Sequence, residues 1–168
     1  MNATLLSKAL DSAYRYLARG PRSRFEVERR LRQKNFPDPV IHQVLRQLEE
    51  FRYLDDRALA LQWARDRLTR RLWGPLRLRM ELERKGITRE WTEEAVRELF
   101  EERDEKTHAM EIVALRLKGR GLRDPKEYRR LFAYLFRRGY SPDVIQNVLQ
   151  RMKKDSGMSE QEASSEIL

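Results

Sequence analysis

The sequence contains no cysteine and only two histidines, His42 and His108, in 168 residues. The first absence excludes a disulfide framework and any thiolate chemistry. The second leaves no paired histidines at metal-ligand spacing, and no HExxH motif is present, so neither a metal nor another cofactor is assigned. Long apolar runs are missing as well. None approaches the roughly 20 residues of a membrane span, and the first residues have no signal-peptide core. A soluble, cytoplasmic protein without a membrane partner is the expectation. At 40% hydrophobic and 38% charged residues, thin helical layers fit better than one thick globule.

Charge of one sign is in excess. The balance is 36 basic against 27 acidic residues, net +9, with a sequence pI near 10.1. Such a field favours polyanionic partners, nucleic acid first. The excess is uneven. Residues 57–89 carry ten basic groups against Asp66, Glu81 and Glu83, or +7, whereas residues 90–105 set Arg97 and Arg103 against eight acidic groups, or −6.

A short pattern occurs three times: Leu31-Arg32-Gln33-Lys34-Asn35-Phe36, Leu82-Glu83-Arg84-Lys85-Gly86-Ile87 and Leu135-Phe136-Arg137-Arg138-Gly139-Tyr140. Each reads as a helix end. Gly or Asn takes the left-handed conformation, a basic residue meets the negative end of the helix dipole, and the next apolar residue folds back on the last turn. Apolar residues then recur at constant offsets: Val40, Val44, Leu45, Leu48; Trp91, Ala95, Val96, Leu99; Val144, Val148, Leu149, Met152. That is one helix face repeated three times. The expected fold is all-α, an elongated tandem array of three helix-turn-helix-like three-helix units over 1–54, 55–104 and 105–154, with 155–168 a disordered acidic tail.

Further punctuation supports this order. Gly20-Pro21 stops a first helix, and Ser23 with Glu26 forms a capping box for a second. Asp38 is expected to cap the third, with Pro39 in its first turn. Asp55-Asp56 precedes a long helix with Ala60, Leu61, Ala64, Leu68 and Leu72 on one face. No Pro or Gly interrupts 88–118, so the joint there is placed near Arg103 to Lys106, before a helix using Met110, Ala114 and Leu117. Asp124-Pro125 with Glu127 starts the eighth helix, whose stripe is Tyr128, Leu131, Phe132 and Leu135.

No catalytic constellation stands out. Asp55-Asp56 reads as a cap plus a favourable charge at a helix start, and Gly119-Arg120-Gly121 as a turn, without the strand or Lys-Ser/Thr of a phosphate loop. Trp91 shares its repeat position with Val40 and Val144 and is assigned to packing. Trp73, beside Arg70 and Arg71, is open between packing and a surface role in stacking bases. Residues 57–89 have few acidic partners in sequence. A surface facing phosphate or acidic protein is therefore assigned to Arg57, Arg65, Arg67, Arg70, Arg71, Arg77, Arg79, Arg84 and Lys85, joined by Arg116, Lys118, Arg120, Arg123, Arg129 and Arg130.

The three-unit pattern, Arg22-Ser23, the stretch Tyr53-Leu54-Asp55-Asp56-Arg57-Ala58-Leu59-Ala60, and Trp73-Gly74-Pro75 followed by Glu81-Leu82-Glu83-Arg84-Lys85-Gly86-Ile87 resemble the RecX family of bacterial recombination regulators. The resemblance covers about residues 9–152, with 53–87 its specific part. Leu59 stands where the family usually has Phe, and Asn35 replaces the usual Gly of the first helix end. The resemblance implies a non-enzymatic protein that binds the RecA recombinase, mainly as its filament on DNA; sequence-independent contact with single- or double-stranded DNA and a monomeric state are expected beside it. It further implies inhibition of filament growth, ATP hydrolysis and strand exchange. Two alternatives remain. One is a helix-turn-helix DNA-binding regulator reading bases with His42, Gln43, Arg46 and Gln47 or with Gln146, Asn147, Gln150 and Arg151. The other is a helical-repeat scaffold that binds only protein.

Overall fold

In a computed structural model, which describes residues 2–101, 103–118, 120–122 and 124–154, the described chain is helical throughout, without a strand. Its helices are α1 (Asn2–Leu17), α2 (Arg24–Gln33), α3 (Asp38–Glu50), α4 (Asp56–Arg71), α5 (Pro75–Arg84), α6 (Arg89–Glu101), α7 (Glu105–Leu117), α8 (Pro125–Arg138) and α9 (Pro142–Lys154). They form three tandem sets: α1–α3, α4–α6 and α7–α9. The expected tail, 155–168, lies outside the described residues. Among the described residues no helix is long and apolar enough to cross a membrane.

The three repeated helix ends have one geometry. Asn35, Gly86 and Gly139 have φ of 58°, 76° and 86°. The N–H of the following residue donates back across the last turn: Phe36 to the Leu31 carbonyl at 3.3 Å, Ile87 to Leu82 at 3.1 Å and Tyr140 to Leu135 at 3.2 Å. This is the Schellman arrangement, which satisfies carbonyls a helix end would otherwise orphan. The apolar residue is then buried at two of the ends, Ile87 at 4% and Tyr140 at 0% exposure, and half-buried at the first, Phe36. The same closure ends α3 without Gly or Asn: Arg52 has φ 57°, and the Tyr53 N–H donates to the Leu48 carbonyl at 2.8 Å. An Arg in that conformation leaves no sequence signal. Since Asn keeps part of the left-handed cost that glycine lacks, Asn35→Gly is expected to raise unfolding free energy by about 0.5 kcal/mol, read from a urea midpoint.

By contact the chain divides into two compact units, one of 1–65 with 79–97 and one of 66–78 with 98–168, so α4, α5 and α6 contribute residues to both. In the first unit α1, α2 and α3 pack mutually around Ala9, Ala13, Val27, Leu31, Ile41, Val44, Leu45 and Leu48. In the second, α9 packs on α7 and α8 around Ala109, Ile112, Val113, Leu131, Leu135, Tyr140, Ile145, Val148 and Leu149.

Several local expectations shift. The N-cap of α3 is Pro37, with no side-chain cap; Asp38 is already helical and pairs with Arg32 at 3.2 Å. The buried face of the third helix in each set holds the expected Val44, Leu45 and Leu48, Ala95 and Val96, and Val148 and Leu149, and is wider by one position. Ile41, Thr92 and Ile145 are fully buried, while Trp91 and Val144 are half-buried. In α7 the inward residues are His108, Ala109, Ile112, Val113 and Leu117, and Ala114 is exposed. The joint before α7 falls where expected. Asp104 caps α7, accepting from the Thr107 N–H at 2.6 Å.

The two adjacent aspartates each satisfy a helix start. Asp55 accepts from the Ala58 N–H in the first turn of α4 at 2.9 Å. Asp56 accepts from the Arg24 N–H at the start of α2 at 2.8 Å. Burial, with Glu49 and Asp55 nearby, keeps the Asp56 pKa above the ordinary carboxylate value despite that bond.

Within each compact unit, a repeated helix end is seated on the start of an earlier short helix. In the first unit the Lys85 carbonyl accepts from Ser23 Oγ at 2.5 Å. In the second the Arg138 carbonyl accepts from the Gly74 N–H at 2.7 Å, and the Gly139 carbonyl from Leu76 at 3.0 Å. The basic residue before each left-handed position reaches another segment: Lys34 Nζ to Ser12 Oγ at 2.7 Å, Lys85 Nζ to Glu26 at 2.9 Å, and Arg138 to the Arg71 carbonyl. These side chains tie helices together as well as facing a helix dipole.

Candidate polyanion-binding surface

The first compact unit neutralises most of its share of the assigned arginines. Arg57 pairs with Glu94 and lies over the Trp91 ring at 5.5 Å. Arg79 holds both oxygens of Glu93 at 2.9 and 3.0 Å, which draws the Glu93 pKa below its usual value. Arg84 meets Glu81 at 3.5 Å. Lys85, with 16% of its side chain exposed, pairs with Glu26, at 14%. Arg65 is exposed. The acidic helix α6 therefore supplies the partners that the linear stretch 57–89 lacks, and Lys85 is an internal tie.

The second compact unit is arranged differently. Asp66 is shared by Arg67 at 3.1 Å and Arg70 at 2.6 Å. Trp73 is half-buried and covered by cations, with Arg77 at 4.5 Å and Arg67 at 5.8 Å from its ring centre. Arg77 also donates to the Arg137 carbonyl at 2.8 Å. Arg116 and Arg138 both lie over the Tyr134 ring, at 3.6 and 4.9 Å. Arg120 Nε donates to the Leu117 carbonyl at 3.4 Å. Arg71, Lys118 and Arg130 are exposed, and Lys118 sits at φ 51°. Arg129 and Lys153 line an open cleft of about 430 Å³ with Leu122, Tyr128 and Gln150. Arg123 lies outside the described residues.

Tyr134, Arg137 and Arg138 lie outside the set of residues assigned to the surface from sequence. Arg137 and Arg138 are fully explained, in sequence, as dipole partners of a helix end. The spacing of Tyr134 and Arg138, four apart on one helix, was the available signal. The base-reading candidates His42, Gln43, Arg46, Gln146, Asn147, Gln150 and Arg151 are exposed and Gln47 is half-buried. In the middle repeat the corresponding Glu93 and Glu94 are held by Arg79 and Arg57. Among the described residues no group of His, Asp or Glu is placed to hold a metal ion.

One buried polar pair belongs to this unit's core. The Tyr140 hydroxyl lies 2.6 Å from His108 Nδ1 and reaches the Leu72 carbonyl at 3.4 Å. Burial, reinforced by Glu105, raises the tyrosine pKa well above its ordinary value. Burial lowers that of His108, with Arg103 acting in the same direction and Glu111 opposing it. A base with a depressed folded pKa contributes stability that is intact above its unfolded value, about 6.5, and is lost as pH falls from there through the folded value. The melting temperature should therefore drop between about pH 7 and pH 5, and His108→Gln should flatten that part of the profile.

Tandem three-helix sets carrying arginines stacked on aromatic rings define the class: an all-helical repeat protein with a cationic surface. Family models described as the first, second and third three-helix domains of RecX match residues 9–48, 55–96 and 104–149. The chain belongs to the RecX family. Among proteins named regulatory protein RecX, that of Streptomyces coelicolor is 33% identical over 144 residues, covering 85% of this chain and 76% of that one. That of Geobacillus kaustophilus is 32% identical over 161 residues, 95% of this chain and 60% of its own length. That of Prosthecochloris aestuarii is 32% identical over 147 residues, 86% and 93% respectively. The crystal structure of RecX from Lactobacillus salivarius shares the fold, with a TM-score of 0.75 at 23% identity over 90% of this chain and 99% of that one. The chain is thus similar to regulatory proteins, and its three helical sets are the three domains of that family.

Proposed function

We propose that this chain regulates the RecA recombinase by binding its filament on DNA, without chemistry of its own, and that it restrains filament growth and with it ATP hydrolysis and strand exchange. The observation that carries the reading is the match of all three RecX domains, in order, from residue 9 to residue 149. The surface chemistry supports it. Arginines held on aromatic rings in the second compact unit suit DNA phosphate or acidic protein, because a guanidinium keeps its charge and most of its donors while stacked. The deciding experiment adds the chain at stoichiometric ratio to recombinase on single-stranded DNA. Reduced ATP hydrolysis and strand exchange, with co-sedimentation on the filament, are expected; unchanged rates would remove the proposal.

Not every arginine assigned to the surface is a clean probe of it. Arg77 and Arg79 hold a carbonyl and a carboxylate, so reversing them perturbs packing. Arg70 and Arg71 are exposed. Arg70→Glu with Arg71→Glu is expected to raise the half-inhibitory concentration about tenfold, some 1.4 kcal/mol, with an unchanged circular dichroism melt. An unchanged inhibition curve would move the contact off the end of α4.

A further inference from the structure

We infer that a phosphodiester-binding seat lies around the third helix end, centred on Tyr134 and formed by Arg116, Arg130, Arg137 and Arg138 with Arg71 at its edge. This deepens the reading under Proposed function and rests on it for the identity of the strand, a nucleic acid.

Three observations carry the inference. The first is position. On α8, Arg130, Tyr134, Arg137 and Arg138 stand at i, i+4, i+7 and i+8, one stripe of a helix. Leu131 and Leu135 of the same helix are buried, so the stripe flanks the core-facing side and Arg130 and Arg137 remain exposed. From α7, Arg116 reaches the same tyrosine ring.

The second is charge. Arg116 and Arg138 are both held within 5 Å of the centre of one ring. Two guanidiniums held on one ring place two positive charges at one residue, and an anion beside them is favoured by both. Among the described residues Arg71, Arg116, Arg130, Arg137 and Arg138 make no salt bridge. The carboxylate of Glu105, which raises the Tyr140 pKa, accepts from the Ser141 N–H at 2.6 Å. A comparable pair in the first compact unit, Arg22 and Arg30 over Tyr16, differs here: Arg22 lies close enough to Glu26 to depress its pKa.

The third is preorganisation. Arg138 donates to the Arg71 carbonyl at the end of α4, and Arg77 donates to the Arg137 carbonyl. Those bonds fix the backbone on both sides of the seat and engage one nitrogen of the Arg138 guanidinium, which has five N–H donors in all. Side chains already held on a ring lose little freedom when a phosphate arrives, which is the condition for useful affinity.

The test needs no recombinase, so its failure is separate from failure of the filament reading. Anisotropy of a labelled 30-nucleotide oligothymidylate would be measured with the full chain, with Arg116→Glu plus Arg137→Glu, and with Lys8→Glu plus Arg19→Glu, which makes the same change in net charge on exposed residues of the first unit. The seat variant should bind at least tenfold more weakly, and its salt dependence should fall by about 1.4, two phosphate contacts at about 0.7 each. The control should change less than threefold. Arg116→Ala with Arg137→Ala, checked by its melt, guards against unfolding and should show a smaller loss in the same direction. Unchanged affinity in a folded seat variant, or an equal loss in the control, overturns the inference. A loss of oligonucleotide affinity with full inhibition of recombinase supports the seat and shows that filament regulation does not require it.

Discussion

Gly139→Asn should cost about 2–3 kcal/mol of stability, although Asn occupies the equivalent place in the first repeat. The substitution separates two demands on this position. Asn tolerates the left-handed conformation, and Asn35 adopts it at φ 58°, so the backbone contribution is small. Space is the larger demand. A Cβ at Gly139 would stand 2.4 Å from both the Cβ and the backbone N of Arg77 and 2.9 Å from its Cα. A Cβ at Gly74 would stand 2.5 Å from the Gly139 carbonyl oxygen. The two backbones are bonded together there, Gly74 to Arg138 and Leu76 to Gly139, so neither can retreat without breaking those bonds. Gly20 is the contrast: nothing lies within 4 Å of an added methyl group, but its φ of 135° is one that L residues rarely adopt, so Gly20→Ala should cost about 1–3 kcal/mol from backbone strain alone. Equal losses for Gly139→Asn and Asn35→Ala in urea titrations would show that the close approach does not govern stability.

Glu26→Ala should lower stability by about 3 kcal/mol. Its carboxylate closes the capping box by accepting from the Ser23 N–H at 2.9 Å and meets Lys85 Nζ at 2.9 Å. Both charged side chains are mostly buried, so truncation leaves an ammonium without its counter-ion, which costs far more than an exposed pair contributes. Burial by itself pushes the Glu26 pKa up, but the Ser23 N–H and the Lys85 ammonium outweigh it and the net direction is down. A carboxylate with a lowered folded pKa contributes stability that is present above its unfolded value, about 4.3, and is lost as pH falls through the folded one. The Ala variant should therefore show a flatter stability profile below about pH 5. Adding Lys85→Met should restore part of the loss, because the pair is removed together. A double variant less stable than the sum of the singles would contradict this account.

These two positions also show what was legible beforehand. The left-handed helix ends at Asn35, Gly86 and Gly139 were readable because the motif spans six residues and its chemistry is local. The capping box of Ser23 and Glu26 was readable for the same reason. The choice between Asn and Gly was not: Gly86 and Gly139 each abut an earlier short helix, at Phe25 and Arg77, whereas Asn35 is exposed. The Asp38 cap failed because a proline before a helix start can hold the entry without a side-chain bond, leaving the aspartate for Arg32. In α7 the expected Met110 and Leu117 pack inward, but the buried face centres on Ala109, Ile112 and Val113, and Ala114, about 100° further round the helix from Val113, is exposed.

The candidate surface was the least legible part. Arg57, Arg79, Arg84 and Lys85 look alike in sequence with Arg71, yet the first four are paired with carboxylates, three of them on distant or neighbouring helices. The acidic stretch after residue 89, read as a separate feature, is where two of those partners reside.

By itself the sequence determined the helical class, the threefold repeat, most helix starts and ends, and the excess of positive charge, because each depends on residues a few positions apart or on composition alone. Only the tertiary structure decided which charges remain free and which glycines are indispensable. Both depend on segments far apart in the chain, Lys85 with Glu26 across 59 positions, Arg77 with Arg137 across 60 and Arg138 with Arg71 across 67. Coulomb attraction and steric contact act through distances in space, which the order of residues does not specify.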